Sequence, residues 1–201
     1  MCLKHYSLCM SVCCLVFVLS CRSQNSVSDY TVALKDCVNR TAGERINWLS
    51  KFSDEKPEGT VKLDFYDSIA DFENGLIKYG LLIDKERQSY SGLISRLREG
   101  LIPKEAYLKL KNTFPTFVEI NSLIGPSAMY ENCPLNVLQT DVLNKEKLAS
   151  FKLIYDKINY VGHPSVDIVN EVFNITDFQN DIERLSLCNL IYFNLLVKFE
   201  G

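Results

Sequence analysis

Chemistry needs side chains that take a proton, form a bond or hold an ion, and this 201-residue chain has few in useful patterns. It carries two histidines, His5 near the start and His163 in a Gly162-His163-Pro164 turn. A single imidazole outside the first few residues cannot supply a two-histidine metal motif. No nucleophile elbow or Cys-His signature accompanies it, so His163 reads as a residue that helps to end a helix. Carboxylates recur in close pairs: Asp64 with Asp67, Asp71 with Glu73, and Asp181 with Glu183. Pairs of this kind can divide acid and base roles, but the same spacing covers the solvated face of ordinary helices, and that is the role expected of them. Glu86 stands apart because it falls where an apolar residue is due in a helical stripe; the expectation is a bend, or the exposed end of the stripe. No phosphate-cradling glycine loop or dinucleotide fingerprint is present. The residues therefore point to a chain that is not an enzyme and has no catalytic residue, no metal and no cofactor.

Two other residue classes carry chemistry of a different kind. Asn39-Arg40-Thr41 and Asn174-Ile175-Thr176 are acceptor triplets for N-glycosylation, which places Asn39 and Asn174 as expected glycan sites. Eight cysteines are present, five of them within the first 21 residues, leaving Cys37, Cys133 and Cys188. In an oxidising compartment thiols pair, and three leave one over, either free and buried or bridging two copies of the chain. Cys37 with Cys188 is the pairing expected, since each lies on or beside the apolar face of an amphipathic segment.

What gives the triplets and thiols meaning is the start of the chain. Met1 to His5 lead into the apolar run from Met10 to Leu19 and then small residues, the pattern of a secretory signal peptide. The run has about ten residues where a membrane span needs roughly twenty, so stable membrane insertion is not expected. Cleavage after Ser23 is preferred, with Ser20 the alternative. The chain thus divides into a signal peptide at 1–23 and a single secreted helical domain at 24–201. Val18-Leu19-Ser20-Cys21 also loosely resembles a bacterial lipoprotein box, against which the two sequons argue.

The remainder must position whatever the chain presents. From Ser28, placed as an N-cap, Tyr30, Leu34, Cys37, Val38, Ala42, Leu49 and Phe52 form one helical stripe, with Asn39 well off it and pointing to solvent. Phe65, Ile69, Phe72, Leu76, Tyr79, Ile83, Glu86, Tyr90, Leu93 and Leu97 alternate steps of four and three, which predicts one long helix bent near Asp84 to Ser89. Pro103 starts a third element, which Pro115 kinks or restarts with Thr113 as cap, and Gly125-Pro126 stops it. Pro134 opens a fourth that runs through Val161. Val166 to Phe173 is a short apolar segment that reads as helix despite a brief strand-like run. Thr176-Asp177 cap a last and most apolar helix, from Phe178 to Phe199, expected to lie centrally. The fold class expected is all-α, an antiparallel up-and-down bundle of four to five helices, one of them long and bent.

The net charge of −3, with both signs interspersed, offers no basic stripe for nucleic acid. The function expected is that of a secreted, disulfide-bonded, non-catalytic binding protein: a helical-bundle glycoprotein that acts through an extracellular protein partner or receptor. The alternative is a carrier that holds a small apolar or lipid ligand in a cavity lined by Phe65, Phe72, Tyr79, Tyr90, Phe114, Phe117, Phe151 and Phe173. An unpaired cysteine would permit a disulfide-linked dimer.

Overall fold

A computed structural model describes residues 30–48, 64–125, 133–138, 145–161 and 163–201. The leader, both candidate cleavage sites, the Ser28 cap, Leu49, Phe52 and the turn at 53–59 lie outside them. Every regular element among the described residues is a helix, so the fold is all-α.

Helix α1 covers 30–48 and buries Tyr30, Leu34, Cys37, Val38 and Ala42, the three- and four-residue spacing that puts one face against the core. Helix α2 (Phe65–Lys78) begins at Asp64, whose carboxylate accepts the Asp67 N–H as an N-cap, and buries Phe65, Ile69, Phe72 and Leu76.

The long bent helix expected over Phe65 to Leu97 is instead two helices, α2 and α3 (Arg87–Arg98). Leu81 and Leu82 lie off the stripe, and burying both requires the chain to leave the helix. Gly80 makes that exit at φ 71°, a left-handed step that costs glycine nothing, and the N–H groups of Leu81 and Leu82 both return to the Leu76 carbonyl. Turning the two leucines inward leaves Ile83, a stripe position by sequence, 86% exposed. Glu86 is the exposed N-cap residue of α3, in keeping with the end of a stripe.

Proline resolves the next element in the second of the two expected ways. Helix α4 (Lys104–Thr113) ends, and α5 (Pro115–Ile124) restarts with Pro115 in its first turn, where a missing N–H costs nothing. The residue between them is Phe114 and not Thr113, whose hydroxyl instead bonds back to the Lys109 carbonyl. Of the fourth expected element the structure describes α6 (Cys133–Leu138) and α7 (Lys145–Val161), the residues from 139 to 144 lying outside the described ones. Helix α8 (Val166–Ile175) takes the strand-like run and is capped by Ser165 on the Ile168 N–H. Helix α9 (Asp181–Glu200) starts later than expected. Its cap is Asn180, whose carboxamide oxygen accepts the N–H groups of Ile182 and Glu183, leaving Thr176 and Asp177 in the connection.

Helix α9 is the centre of the molecule: it packs on α2, α4 and α8, while α2 also meets α4 and α5, α3 meets α8, and α7 lies on α6 and α8. From Ile182 to Phe193 every side chain of α9 is buried, as its apolar composition implied. The aromatic residues interlock. Phe72 stacks on Phe117 at 4.5 Å and meets Tyr192 edge-on at 5.5 Å, and Phe117 meets Tyr192 at 4.9 Å. Close approach of α2 and the α4–α5 corner depends on Gly75, where a Cβ would lie 2.3 Å from Phe114 Cε2.

Candidate functional site

The most concentrated chemistry in the fold sits on residues assigned by sequence to a solvated surface. Glu73, expected to pair with Asp71 on the outside of α2, is fully buried, and its neighbour Asp71 alone is exposed. The reason lies one helix away. Arg184 is 8% exposed at the start of α9, and its Nε donates to Glu73 Oε1 at 2.8 Å with Nη2 at 3.4 Å from Oε2. The Tyr90 hydroxyl, from α3, donates to the same Oε1, and Lys85 Nζ reaches Oε2 at 3.3 Å. Three elements thus converge on one carboxylate. Arg184 also bonds the exposed Asp181. Burial by itself lowers the affinity of the guanidinium for its proton, but the hydrogen bonds and charges of Glu73 and Asp181 outweigh it, and Arg184 is held above its ordinary value. Burial, then the charges of Cys188 and Glu73, push the Tyr90 phenol up, so it stays a donor.

This arrangement holds charge in place; it does not deliver it. A general acid or base must reach a substrate proton, and Glu73 is itself fully buried with both oxygens on protein groups, Arg184, Tyr90 and Lys85. The neighbouring thiol, Cys188, is buried, and burial followed by the Glu73 charge pushes its pKa well up, so it is a poor nucleophile. His163 is half-buried in the turn between α7 and α8, the helix-ending position expected of it, and Asn194 donates to the Pro164 carbonyl beside it. Among the described residues no group of His, Cys, Asp and Glu could hold a metal ion, and no helix is long and apolar enough to cross a membrane.

The other paired carboxylates divide between structural and solvated positions. Glu183 is buried as the N3 member of a capping arrangement, accepting the Asp177 N–H at 3.1 Å and the Asn180 carboxamide at 3.3 Å. Asp64 pairs with Lys35 at 2.7 Å, and Asp67 and Asp181 are exposed.

Cysteine pairing differs from the expectation. Cys37 is bonded to Cys133, with Cα atoms 5.5 Å apart, tying α1 to α6; Cys188 is free and buried. A shared apolar environment was the basis for choosing Cys188, but α9 turns that residue toward Glu73 and Tyr90, away from α1. A buried Cys188 also cannot bridge two folded copies of the chain. Thr41 stands over the bond, its hydroxyl on the Cys37 carbonyl at 2.9 Å and 3.6 Å from Cys133 Sγ. Asn39 does not point to solvent. It is half-buried, its oxygen accepts the Phe65 N–H at 2.9 Å and its nitrogen donates to Asp64 at 3.3 Å. Asn174 is exposed at the end of α8.

Among the described residues the outer surface carries a built feature at the α2–α3 corner. A depression of about 830 Å³ is lined by Gly80, Ile83, Asp84, Glu86, Ser89 and Arg96, among others. Its backbone is fastened from several directions: the Ser89 hydroxyl accepts the N–H groups of Ile83 and Asp84, Asp84 accepts the Glu86 N–H, and Arg96 bonds the carbonyls of Gly80 and Leu81. Local cations are already committed, Lys85 to Glu73 and Arg87 to the carbonyls of Asn174 and Thr176 and the faces of Phe173 and Phe178. Among the described residues no cation pairs with Asp84 or Glu86. As for a carrier, most of the aromatic residues expected to line its cavity contact other rings instead, Phe114 with Phe72 and Phe173 with Phe178 among them.

Sequence reasoning placed Glu73 on a solvated face, and it marked a bend near Asp84 to Ser89 without giving the α2–α3 corner any role. Arg184 was the available signal for the first: a lone cation at the head of the most apolar helix needs a buried anion. The chain matches no protein-family model, no curated protein and no solved structure.

Proposed function

We propose that the chain is an exported, non-catalytic helical protein that acts by binding a protein partner outside the cell, and that the α2–α3 corner is the face it presents. The observation that carries this is Ile83, a large apolar side chain 86% exposed on a backbone fixed by side-chain hydrogen bonds. Burial of Leu81 and Leu82 accounts for Ile83 leaving the core; what favours an interface is that the exposed side chain is held on a fixed backbone beside a depression, a preorganised apolar anchor. Charge selects the occupant. Two unpaired carboxylates, Asp84 and Glu86, flank the anchor against one guanidinium, Arg96, already bonded to backbone, so the fitting partner offers a lysine or arginine next to an apolar residue. Export is supported by the signal-like leader and by a disulfide that cross-links α1 and α6.

The test is selection of displayed peptides on the full chain, followed by titration against Ile83→Asp and Glu86→Lys. The expected winners carry a basic residue beside Leu, Ile or Phe and bind each variant at least about tenfold more weakly, the effect of losing one anchor. Peptides bound equally by parent and Ile83→Asp overturn the assignment. So does a concentration-dependent dimer abolished by Ile83→Asp, which would give the face to a second copy.

A further inference from the structure

The two acceptor triplets sit in opposite surroundings. Asn174 is exposed in the last turn of α8, and it is its backbone carbonyl, not its carboxamide, that takes Arg87. At Asn39 the carboxamide itself is occupied at both ends. Its oxygen holds the Phe65 N–H at 2.9 Å, one of the amides at the start of α2 that has no partner within the helix, and its nitrogen faces Asp64 Oδ1 at 3.3 Å. Lys35, one turn earlier on α1, grips the other oxygen of Asp64 at 2.7 Å. Thr41 is engaged as well, on the Cys37 carbonyl and beside Cys133 Sγ. Asparagine and threonine at this spacing are thus accounted for by tertiary structure: Asn39 latches α1 to the head of α2, and Thr41 packs on the disulfide.

An N-linked sugar replaces a hydrogen of Nδ2 with a pyranose ring. On Asn174 that ring enters solvent. On Asn39 it would have to share the space in which Nδ2 meets Asp64, while the oxygen of the same amide is held on the adjoining residue, Phe65. We propose that the two triplets divide: Asn174 carries the N-glycan, and Asn39 stays bare in the folded protein because its carboxamide is the latch between α1 and α2. Sugar transfer to an extended chain precedes folding, so the geometry acts by exclusion: a modified Asn39 keeps its oxygen and one N–H, but the ring crowds the Nδ2–Asp64 contact that completes the latch. The Asn174 half rests on the export reading; the Asn39 half does not.

The experiment has two arms. The full chain is produced in a secretory eukaryotic cell line, and the folded, disulfide-closed fraction is mapped by intact mass and glycopeptide analysis. The expected result is a sugar at Asn174 and none at Asn39. In the second arm, unglycosylated protein with the disulfide closed is unfolded in urea. Asn39→Ala should lower the ratio of folded to unfolded chain about tenfold, the effect of losing one or two hydrogen bonds, and Asn174→Ala by less than about twofold. Should Asn39→Ala not fold, Asn39→Gln, which keeps the amide but overshoots by one methylene, is expected between parent and that limit. A sugar at Asn39 in the folded fraction overturns the proposal, as does Asn39→Ala unfolding like Asn174→Ala. A bare Asn174 in chains whose leader has been removed overturns the first half. A retained leader with no sugar anywhere refutes export instead, and the second arm then decides Asn39 alone.

Discussion

Replacing Glu73 by glutamine changes one atom and leaves no cavity, so its effect isolates the charge. The buried carboxylate is met by Arg184 at 2.8 Å, by Lys85 at 3.3 Å and by the Tyr90 hydroxyl. With the charge gone, Lys85, whose side chain is 42% exposed, can turn to water, but Arg184, with a 10% exposed side chain, cannot. Removing one partner of a buried pair costs about 3 to 5 kcal/mol. Asp181 still neutralises one side of Arg184 from the surface, so the lower end applies, and Glu73→Gln should cost about 3 kcal/mol. In a chain of this size that lowers the melting midpoint by roughly 6 to 12 °C. Urea unfolding followed by circular dichroism gives the free energy. Lys85→Met is the internal comparison and should cost less than about 1 kcal/mol, because a half-exposed ammonium gives up little. The double variant Glu73→Leu/Arg184→Met removes both charges and keeps apolar volume; it should recover at least about 2 kcal/mol relative to the sum of its single changes. A Glu73→Gln cost below about 1 kcal/mol, or strict additivity in the double variant, would refute the reasoning, since it would mean that the carboxylate is hydrated and not paired.

Three more outcomes follow from the geometry. Gly75→Ala should be destabilising by about 1 kcal/mol or more despite the helix propensity it gains, because the new methyl meets the Phe114 ring and Leu110 Cδ2, and the cost should shrink when Phe114 is first cut to alanine; Gly92, with nothing near its Cβ position, should instead gain about 0.5 to 1 kcal/mol on the same change, all read from urea midpoints. The Cys37–Cys133 bond closes a span of 96 residues, so Cys37→Ser/Cys133→Ser should lose up to about 4 kcal/mol, while a maleimide should reach Cys188 only at the rate of global unfolding. Burial pushes the Asp64 carboxyl up, but hydrogen bonds from Lys35, Asn39 and the Asp67 N–H outweigh it and hold it below its ordinary 3.8. Stability from a lowered carboxyl is present above its unfolded value and lost as pH falls through the folded one, so the cost of Lys35→Met should hold at neutral pH and shrink only as pH falls below 3.8, through the lowered folded value.

The sequence disclosed the helices better than their ends, and their faces better than their polar contents. Apolar spacing marked the buried faces of α1, α2, α3 and α9 correctly, because burial of a stripe is what makes a helix stable in a folded chain. It failed at Ile83, where the stripe continued through a break: periodicity registers which residues could share a face and not whether Leu81 and Leu82 have a better place in the core. Glu73 was misread for a related reason. It lies next to Phe72 on the edge of the α2 stripe, and only the three-dimensional meeting with Arg184, 111 residues away, decides whether that edge is wet. The disulfide failed in the same manner, since Cys37 and Cys188 share apolar faces but those faces look at different neighbours. At the α2–α3 corner the polar Glu86 marked an interruption of the stripe but not the shape built there, which is an assembly of loop hydrogen bonds through Ser89, Asp84 and Arg96.

These failures share a physical content that bears on function. Apolar stripes say that helices pack, yet they tolerate sliding by a turn or rotating by a residue at small cost; polar contacts with fixed geometry do not. Here such contacts join separate elements: Asn39 of α1 to the head of α2, Glu73 of α2 to Tyr90 and Arg184, and the Asn180 carboxamide before α9 to Thr31 of α1 at 3.0 Å. Each holds one pair of helices in register, and each removes a polar side chain from the set that could face a substrate. These interior polar groups are therefore committed to holding the bundle in one arrangement. The face proposed for interaction, the α2–α3 corner, has its shape maintained by that same rigidity: Lys85 runs inward to Glu73 and Arg87 lies on Phe173 and Phe178, so that Ile83, Asp84 and Glu86 face outward. Loosening the Glu73 cluster should for this reason weaken binding at the corner as well as stability, whereas altering Ile83 should weaken binding alone.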